Sequence, residues 1–308
     1  MLEDRQRRRS GNGCIVLANA SRDAPMGEAK AKKTHGRKAE FDKLDARLRS
    51  IGINTDDFGF YDSLPFLNAE RADPSFLEQY ARWVALKPRT EAYDQRVRSI
   101  VPRLTENLAR MLLRDDLQGG CITSAGMMSR MLDRLGVWSY GVIGCLTLEV
   151  ASKGLWRGMA TVDDQDFPGA ILGHAWVVAP PFVVIDAAVR LQRWHGDAMG
   201  EWVPDSVLIE SGFRTVKPDV SDVVSAEKRG RYARKEGYSD PNLHYRLEPR
   251  LREFGKTFPS IDMHLGELRV RYVPVAARAT DVPLEQINSE GRVGRSGAEM
   301  WAELEPMF

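Results

Sequence analysis

The hydrophobic period of this chain shifts near Trp138, and that shift points to the class of fold. Before it, apolar residues recur every third or fourth position. "EFDKLDARLRSIG" sets Phe41, Leu44 and Leu48 at helical spacing, with Gly52 as a stop. "DPSFLEQYARWVALKP" offers Asp73 as an N-cap before Pro74. It spaces Phe76, Leu77, Tyr80, Trp83 and Val84 by three and four, and ends at Lys87-Pro88. A third helix is expected from about Thr90 to Arg114, with Val101, Leu104, Leu108, Met111 and Leu112 on one stripe. A fourth carries Met128, Met131, Leu132 and Leu135, and Gly136 supplies its stop. Then the period falls to two. "WSYGVIGCLTLEVA" (138–151), "HAWVVA" (174–179) and "FVVIDAA" (182–188) are short and rich in β-branched and aromatic residues, and they read as strands. Helices grouped first and strands after predict an α+β fold.

Four segments follow. Residues 1–40 read as a basic disordered tail, 41–115 as a helical extension, 116–215 as the core, and 216–308 as a C-terminal elaboration of unassigned role. The last contains a helix-like "YRLEPRLREFGK", a strand-like "GELRVRYVPVA" (266–276) and a charged run at 225–241. The stretch 152–173 reads as a long, loop-containing connection. Residues 1–43 hold 11 Lys and Arg against 6 Asp and Glu, so the tail could meet an acidic partner. Over all 308 residues, Lys+Arg 44 balances Asp+Glu 43, which argues against a polyanionic partner for the whole chain. No run of 18 apolar residues suggests a membrane span, and the basic opening lacks the apolar stretch of a secretion signal. Three cysteines, Cys14, Cys121 and Cys145, are too few and too odd in number for a disulfide framework. They suit a reducing, cytoplasmic setting.

Cys121 stands in "LQGGCITSAGMMSRMLDRLGV", between Gly119-Gly120 and the fourth helix. Counting back from the Met-Leu stripe puts it in the first helical turn. A thiol there meets unpaired N–H groups and the positive end of the helix dipole, which favour thiolate. The same N–H groups could hold a developing oxyanion. Such a nucleophile needs a base, and the base needs an orienting group. "GHAWVVAPPFVVIDAA" offers His174 and Asp186 on two strands turning at Pro180-Pro181. Their separation is even. In a hairpin centred near Pro180 they would sit directly opposite each other, on the face of Trp176, Val178 and Val184. The other face would carry Ala175, Val177, Val183, Ile185 and Ala187. A slip of one residue would separate the two side chains.

In this order, "GGC" at a helix start, "GHAWV" and "VIDAA" resemble the transglutaminase-like superfamily of papain-fold thiol enzymes, over about residues 105–190. The resemblance implies a papain-like, transglutaminase-like core: a Cys-bearing helix packed on an antiparallel sheet that bears His and Asp. It implies Cys121 as nucleophile, His174 as general base and Asp186 as the residue orienting it. It implies a thiol-dependent amide-bond enzyme that forms an acyl-enzyme, most simply a protease or amidase, with a peptide, protein or small acyl-amide substrate and no cofactor. The "GGC" is also similar to arylamine N-acetyltransferases, although Gln118 and Thr123 stand where that family has an arginine and an acid. Acyl transfer or transamidation is the alternative, and a catalytically inactive binding module is the rival from another class.

Other residues have plainer readings. Gln118 and Trp176 are candidates for an oxyanion donor or a cleft wall, and Trp138 reads as packing. Cys145, inside a strand, reads as core, and Cys14 as inert. His195 in "RWHGD" is a rival base. Cys121, His174 and Asp186 make a poor zinc pattern, so no metal is expected. Asp163, Asp164 and Asp166 in "VDDQDFPG" match a calcium loop only loosely and read as a solvated acidic loop.

Overall fold

The structure is a computed structural model that describes residues 15–17, 28–117, 119–162, 173–192, 194, 196–280, 282–289 and 294–308, with 15–17 and 28–35 as backbone only. The chain runs β1 (Ile15–Leu17), α1 (Glu28–Ser50), α2 (Leu64–Ala72), α3 (Leu77–Leu86), α4 (Glu91–Arg114) and α5 (Cys121–Arg134). Then come β2 (Tyr140–Val150), β3 (Leu155–Met159), β4 (His174–Ala179), β5 (Phe182–Asp186), β6 (Val207–Ile209) and β7 (Arg214–Val216). The last third holds α6 (Val220–Val223), α7 (Ala226–Glu236), α8 (Leu243–Leu247), α9 (Arg250–Thr257), β8 (Ser260–Leu265), β9 (Leu268–Arg278) and α10 (Gly297–Leu304). It is a mixed helix-and-sheet fold, of the α+β class.

One sheet joins every strand in the order β1-β6-β5-β4-β2-β9-β8-β7, and β3 pairs with the far half of β2. All pairings are antiparallel except β1 with β6. Helices cover both faces. One core cluster joins Phe60, Tyr80 and Trp83 of the helical half to Trp176, Val270 and Tyr272 of the sheet. The other joins Leu104 and Leu108 of α4, Met127 and Met131 of α5 and Trp301 of α10 to Ala175, Val177 and Ile185. Each fully buried side chain of this kind contributes roughly 1.5–3 kcal/mol. Helices from residues 41–115 thus complete the same cores as the strands. Likewise β8 and β9 lie inside the sheet, with β9 alongside β2.

Several elements differ from the pattern-based expectation. Helix α1 starts at Glu28 rather than near Phe41, because Ala and Lys favour helix without drawing an apolar stripe. The charged run at 225–241 contains α7. Ser225 caps its start, accepting from Lys228 N–H at 3.2 Å, and Gly237 in the left-handed region closes it. The helix-like "YRLEPRLREFGK" is split into α8 and α9 at Pro249. Strand β3 occupies part of the expected loop. At β2–β9, Ile143 pairs with Ala276 and Gly144 with Pro274, so Val275 is the extra residue of a bulge. A proline is tolerated in this central strand because the ladder is broken there.

Candidate active site

Helix α5 begins where the sequence places it. Gly119 has φ 69°, which a residue with a side chain rarely adopts, and its N–H donates to Leu191 O at 2.6 Å. The first intrahelical bond is Ser124 N–H to Gly120 O, 2.8 Å, so the helix does not use the N–H groups of residues 121–123. At the other end Gly136 has φ 65° and Val137 N–H returns to Leu132 O, closing the helix as predicted. The leading end reaches the start of β4. There the Cys121 thiol meets the backbone of Ala175 and the ring of His174.

His174 opens β4 and Asp186 closes β5. His174 Nε2 donates to Asp186 Oδ2 at 2.6 Å, and both side chains are buried. The register is not the predicted one. Val177 pairs with Ile185 and Ala179 with Phe182 across the Pro180-Pro181 turn, so Asp186 lies diagonal to His174 instead of directly opposite. The shift is by two residues, which preserves the face. Trp176, Val178 and Val184 share one cluster, and Ala175, Val177, Ile185 and Ala187 the other. Val183 departs from the expectation and packs with the first cluster, because the ladder is irregular next to the turn.

Asp186 has two further donors. Ala188 N–H reaches Oδ1 at 2.9 Å, and Tyr272 O–H reaches Oδ2 at 2.8 Å. Tyr272 comes from β9, beyond β2 and β4 in the sheet. Gly144 on β2 leaves room for this crossing. A Cβ there would lie 2.1 Å from Val273 O and 2.7 Å from the Trp176 ring. Trp176 packs edge-on to Tyr272 with ring centroids 5.1 Å apart, and its ring lies 6.4 Å from that of His174. Trp176 also lines an apolar cavity of about 310 Å³.

The electrostatics couple sulfur and ring. Burial works to raise the Cys121 thiol. The hydrogen-bonding interaction and charge of His174, helped by Ala175, overcome it, and the thiol sits below its ordinary value. Burial likewise works against a charged His174, yet the Asp186 carboxylate pushes the imidazole up to about 10. Nδ1 is the ring atom left for the thiol. It is buried with no partner of regular hydrogen-bond geometry, so the ring–thiol attraction acts across a contact that has not fully closed. Because Nε2–H is committed to Asp186, neutral His174 would present a bare Nδ1, the form that accepts the thiol proton. The combination favours a thiolate–imidazolium pair beside N–H groups that the helix itself does not use.

Gln118, His195, Cys14 and the acidic residues Asp163, Asp164 and Asp166 lie outside the described residues. Cys145 is fully buried 3.3 Å from Thr161 Oγ1, and burial pushes its thiol up to about 12, as an inert core residue requires. Among the described residues, no group of three or more His, Cys, Asp or Glu is placed to hold a metal ion, and no helix is long and apolar enough to cross a membrane. Sequence reasoning missed Tyr272. Its position in "ELRVRYV", in phase with Leu268 and Val270, marks a buried phenol that needs an acceptor but does not name the acceptor. No family model matches this chain, and no curated protein or solved structure matches it.

Proposed function

We propose that this chain is a thiol-dependent amide-bond enzyme of the transglutaminase-like, papain-like kind, acting as a cysteine protease or amidase. Cys121 thiolate attacks the carbonyl carbon and a C–S bond forms. The N–H groups of the first α5 turn receive the oxyanion. Protonated His174 gives its Nδ1 proton to the departing nitrogen as the C–N bond breaks. His174 then takes a proton from water, the hydroxide attacks the thioester, and the thiol leaves. Asp186 holds the imidazole tautomer throughout. The observation that carries this reading is the 2.6 Å His174–Asp186 bond, made by the same imidazole that draws the Cys121 thiol down. An amine in place of water would give acyl transfer. The substrate would be a peptide, a protein or a small acyl-amide. The reading includes a cytoplasmic setting and, for the basic N-terminal residues, an acidic partner.

The binding-module alternative draws on one fact: Cys121 is only 2% exposed. Intact-mass spectrometry after incubation with a library of small amides separates the two readings. An acyl adduct on the native protein that is absent from Cys121→Ala supports the enzyme. No adduct, together with Cys121 alkylation at pH 6 no faster than that of a free thiol, supports the module.

A further inference from the structure

A cavity of about 270 Å³ opens beside the first two turns of α5. Ile122 and Thr123, which follow the nucleophile, line it together with Ala175, which follows His174 and whose backbone meets the thiol. Neither Cys121 nor His174 lines it, but the residue that follows each of them does. Two wall positions, Gly126 and Gly141, carry no side chain. A Cβ at Gly141 would stand 2.5 Å from Arg278 O, and one at Gly126 would press on Thr280 at 3.4 Å, so the strand end bearing Arg278 approaches closely.

Among the described residues Arg278 is the one charged residue of the lining, and it is exposed. Other arginines nearby are occupied. Arg130 bonds Asp62 and the carbonyls of Thr280 and Val282, and Arg134 bonds Glu285. Among the described residues the Arg278 side chain has no ion pair or hydrogen bond, and no carboxylate lines the cavity. The remaining polar groups are hydroxyls of Thr123, Ser129 and Thr280. A free guanidinium facing hydroxyls, near the positive end of a helix, selects an anion and disfavours a cation. The volume falls below the usual range for drug-sized ligands, so it suits one small group.

We propose that this cavity is the acyl-side subsite and takes a short carboxylate-bearing acyl group, with Arg278 as the specificity-determining residue. The proposal rests on the enzyme reading for its place in the reaction. Its binding step is independent of turnover.

The test has two arms. In the first, succinyl-, butyryl- and 4-aminobutyryl-p-nitroanilide are compared by kcat/KM. The succinyl amide is expected to lead the butyryl amide by at least about tenfold, with the aminobutyryl amide last. Arg278→Gln should bring the succinyl-to-butyryl ratio near one, and Arg278→Glu should invert the order of the charged pair. Equal rates in the native protein, or a succinyl preference that survives Arg278→Glu, overturn the proposal and leave the enzyme reading standing. In the second arm, glutarate binding is measured by calorimetry on Cys121→Ala and on Cys121→Ala/Arg278→Glu. Binding to the first and at least about tenfold weaker binding to the second support the subsite even if no amide is turned over. No binding, or equal binding to both, overturns it.

Discussion

Asp186→Asn removes one buried negative charge and almost no volume, and its consequence can be worked from the site. Burial works to lower His174, and the charge and hydrogen bond of Asp186, with a further contribution from Cys121, overcome it and carry the imidazole from 6.5 to about 10. That displacement corresponds to roughly 5 kcal/mol in favour of the protonated ring. Asparagine keeps one carbonyl oxygen for Ala188 N–H, and its amide then donates toward the Tyr272 hydroxyl and His174 Nε2, so the fold should hold, but it cannot offset the burial of an imidazolium. The ring becomes neutral, so the charge of His174 no longer lowers the thiol, and burial, which raises it, is opposed mainly by Ala175. At pH 6 a thiol titrating at 9.0 is about one part in a thousand thiolate. Alkylation of Cys121 by iodoacetamide at pH 6, read by peptide mass spectrometry, is therefore expected to slow by more than about threefold. The native value of His174 lies above its unfolded value, so its stabilisation is complete below about 6.5 and is lost as pH rises through about 10. The stability gap between native protein and variant should narrow over that interval. An Asp186→Asn protein that melts normally yet alkylates within about threefold of the native rate at pH 6 would refute the thiolate–imidazolium assignment.

Gly144→Ala forces a Cβ to within 2.1 Å of Val273 O, a backbone atom in the middle of the sheet, so about 3 kcal/mol or more of stability should be lost in a urea titration. Tyr272→Phe removes the O–H donor on Asp186 Oδ2 while keeping the ring against Trp176. The expected loss is about 1.5–3 kcal/mol in thermal melting, with cysteine reactivity measured on the same sample. Asp133, one of whose carboxylate oxygens is buried unpaired, is raised by burial from 3.8 to about 7. Its penalty is absent below pH 3.8 and grows to roughly 4 kcal/mol above pH 7, so Asp133→Asn should stabilise the protein at pH 8 and not at pH 4.

What the sequence made legible was local. The start and stop of α5 follow from Gly119-Gly120, the Met-Leu stripe and Gly136, all within one helix length. The β4–β5 hairpin follows from two apolar runs around Pro180-Pro181. Strand order was not legible. Nothing in "ELRVRYV" says that it runs beside β2, because both strands are largely buried segments that would fit many neighbours. Tyr272 reaches Asp186 only because β9 occupies that place, a contact between residues 86 apart in sequence. The helical half was readable as helices but not as a wall of the same core, since an apolar stripe shows that a face is buried without showing against what.

The hairpin shows which kind of error such a reading survives. The predicted pairing set His174 against Asp186 directly, whereas the pairing of Val177 with Ile185 displaces it by two residues. An even displacement leaves both side chains on one face and turns an opposed pair into a diagonal one. Diagonal neighbours stand farther apart at Cβ, yet an imidazole and a carboxylate together span that gap, and Nε2 and Oδ2 still meet at 2.6 Å. An odd displacement would have sent Asp186 into the cluster of Ala175 and Val177, with no donor for its charge. Both strands are buried on both faces, so parity is fixed by which of the two clusters each side chain joins over the whole strand, while exact opposition depends on the turn alone. The chemistry of this site therefore rests on the more robust of the two determinants.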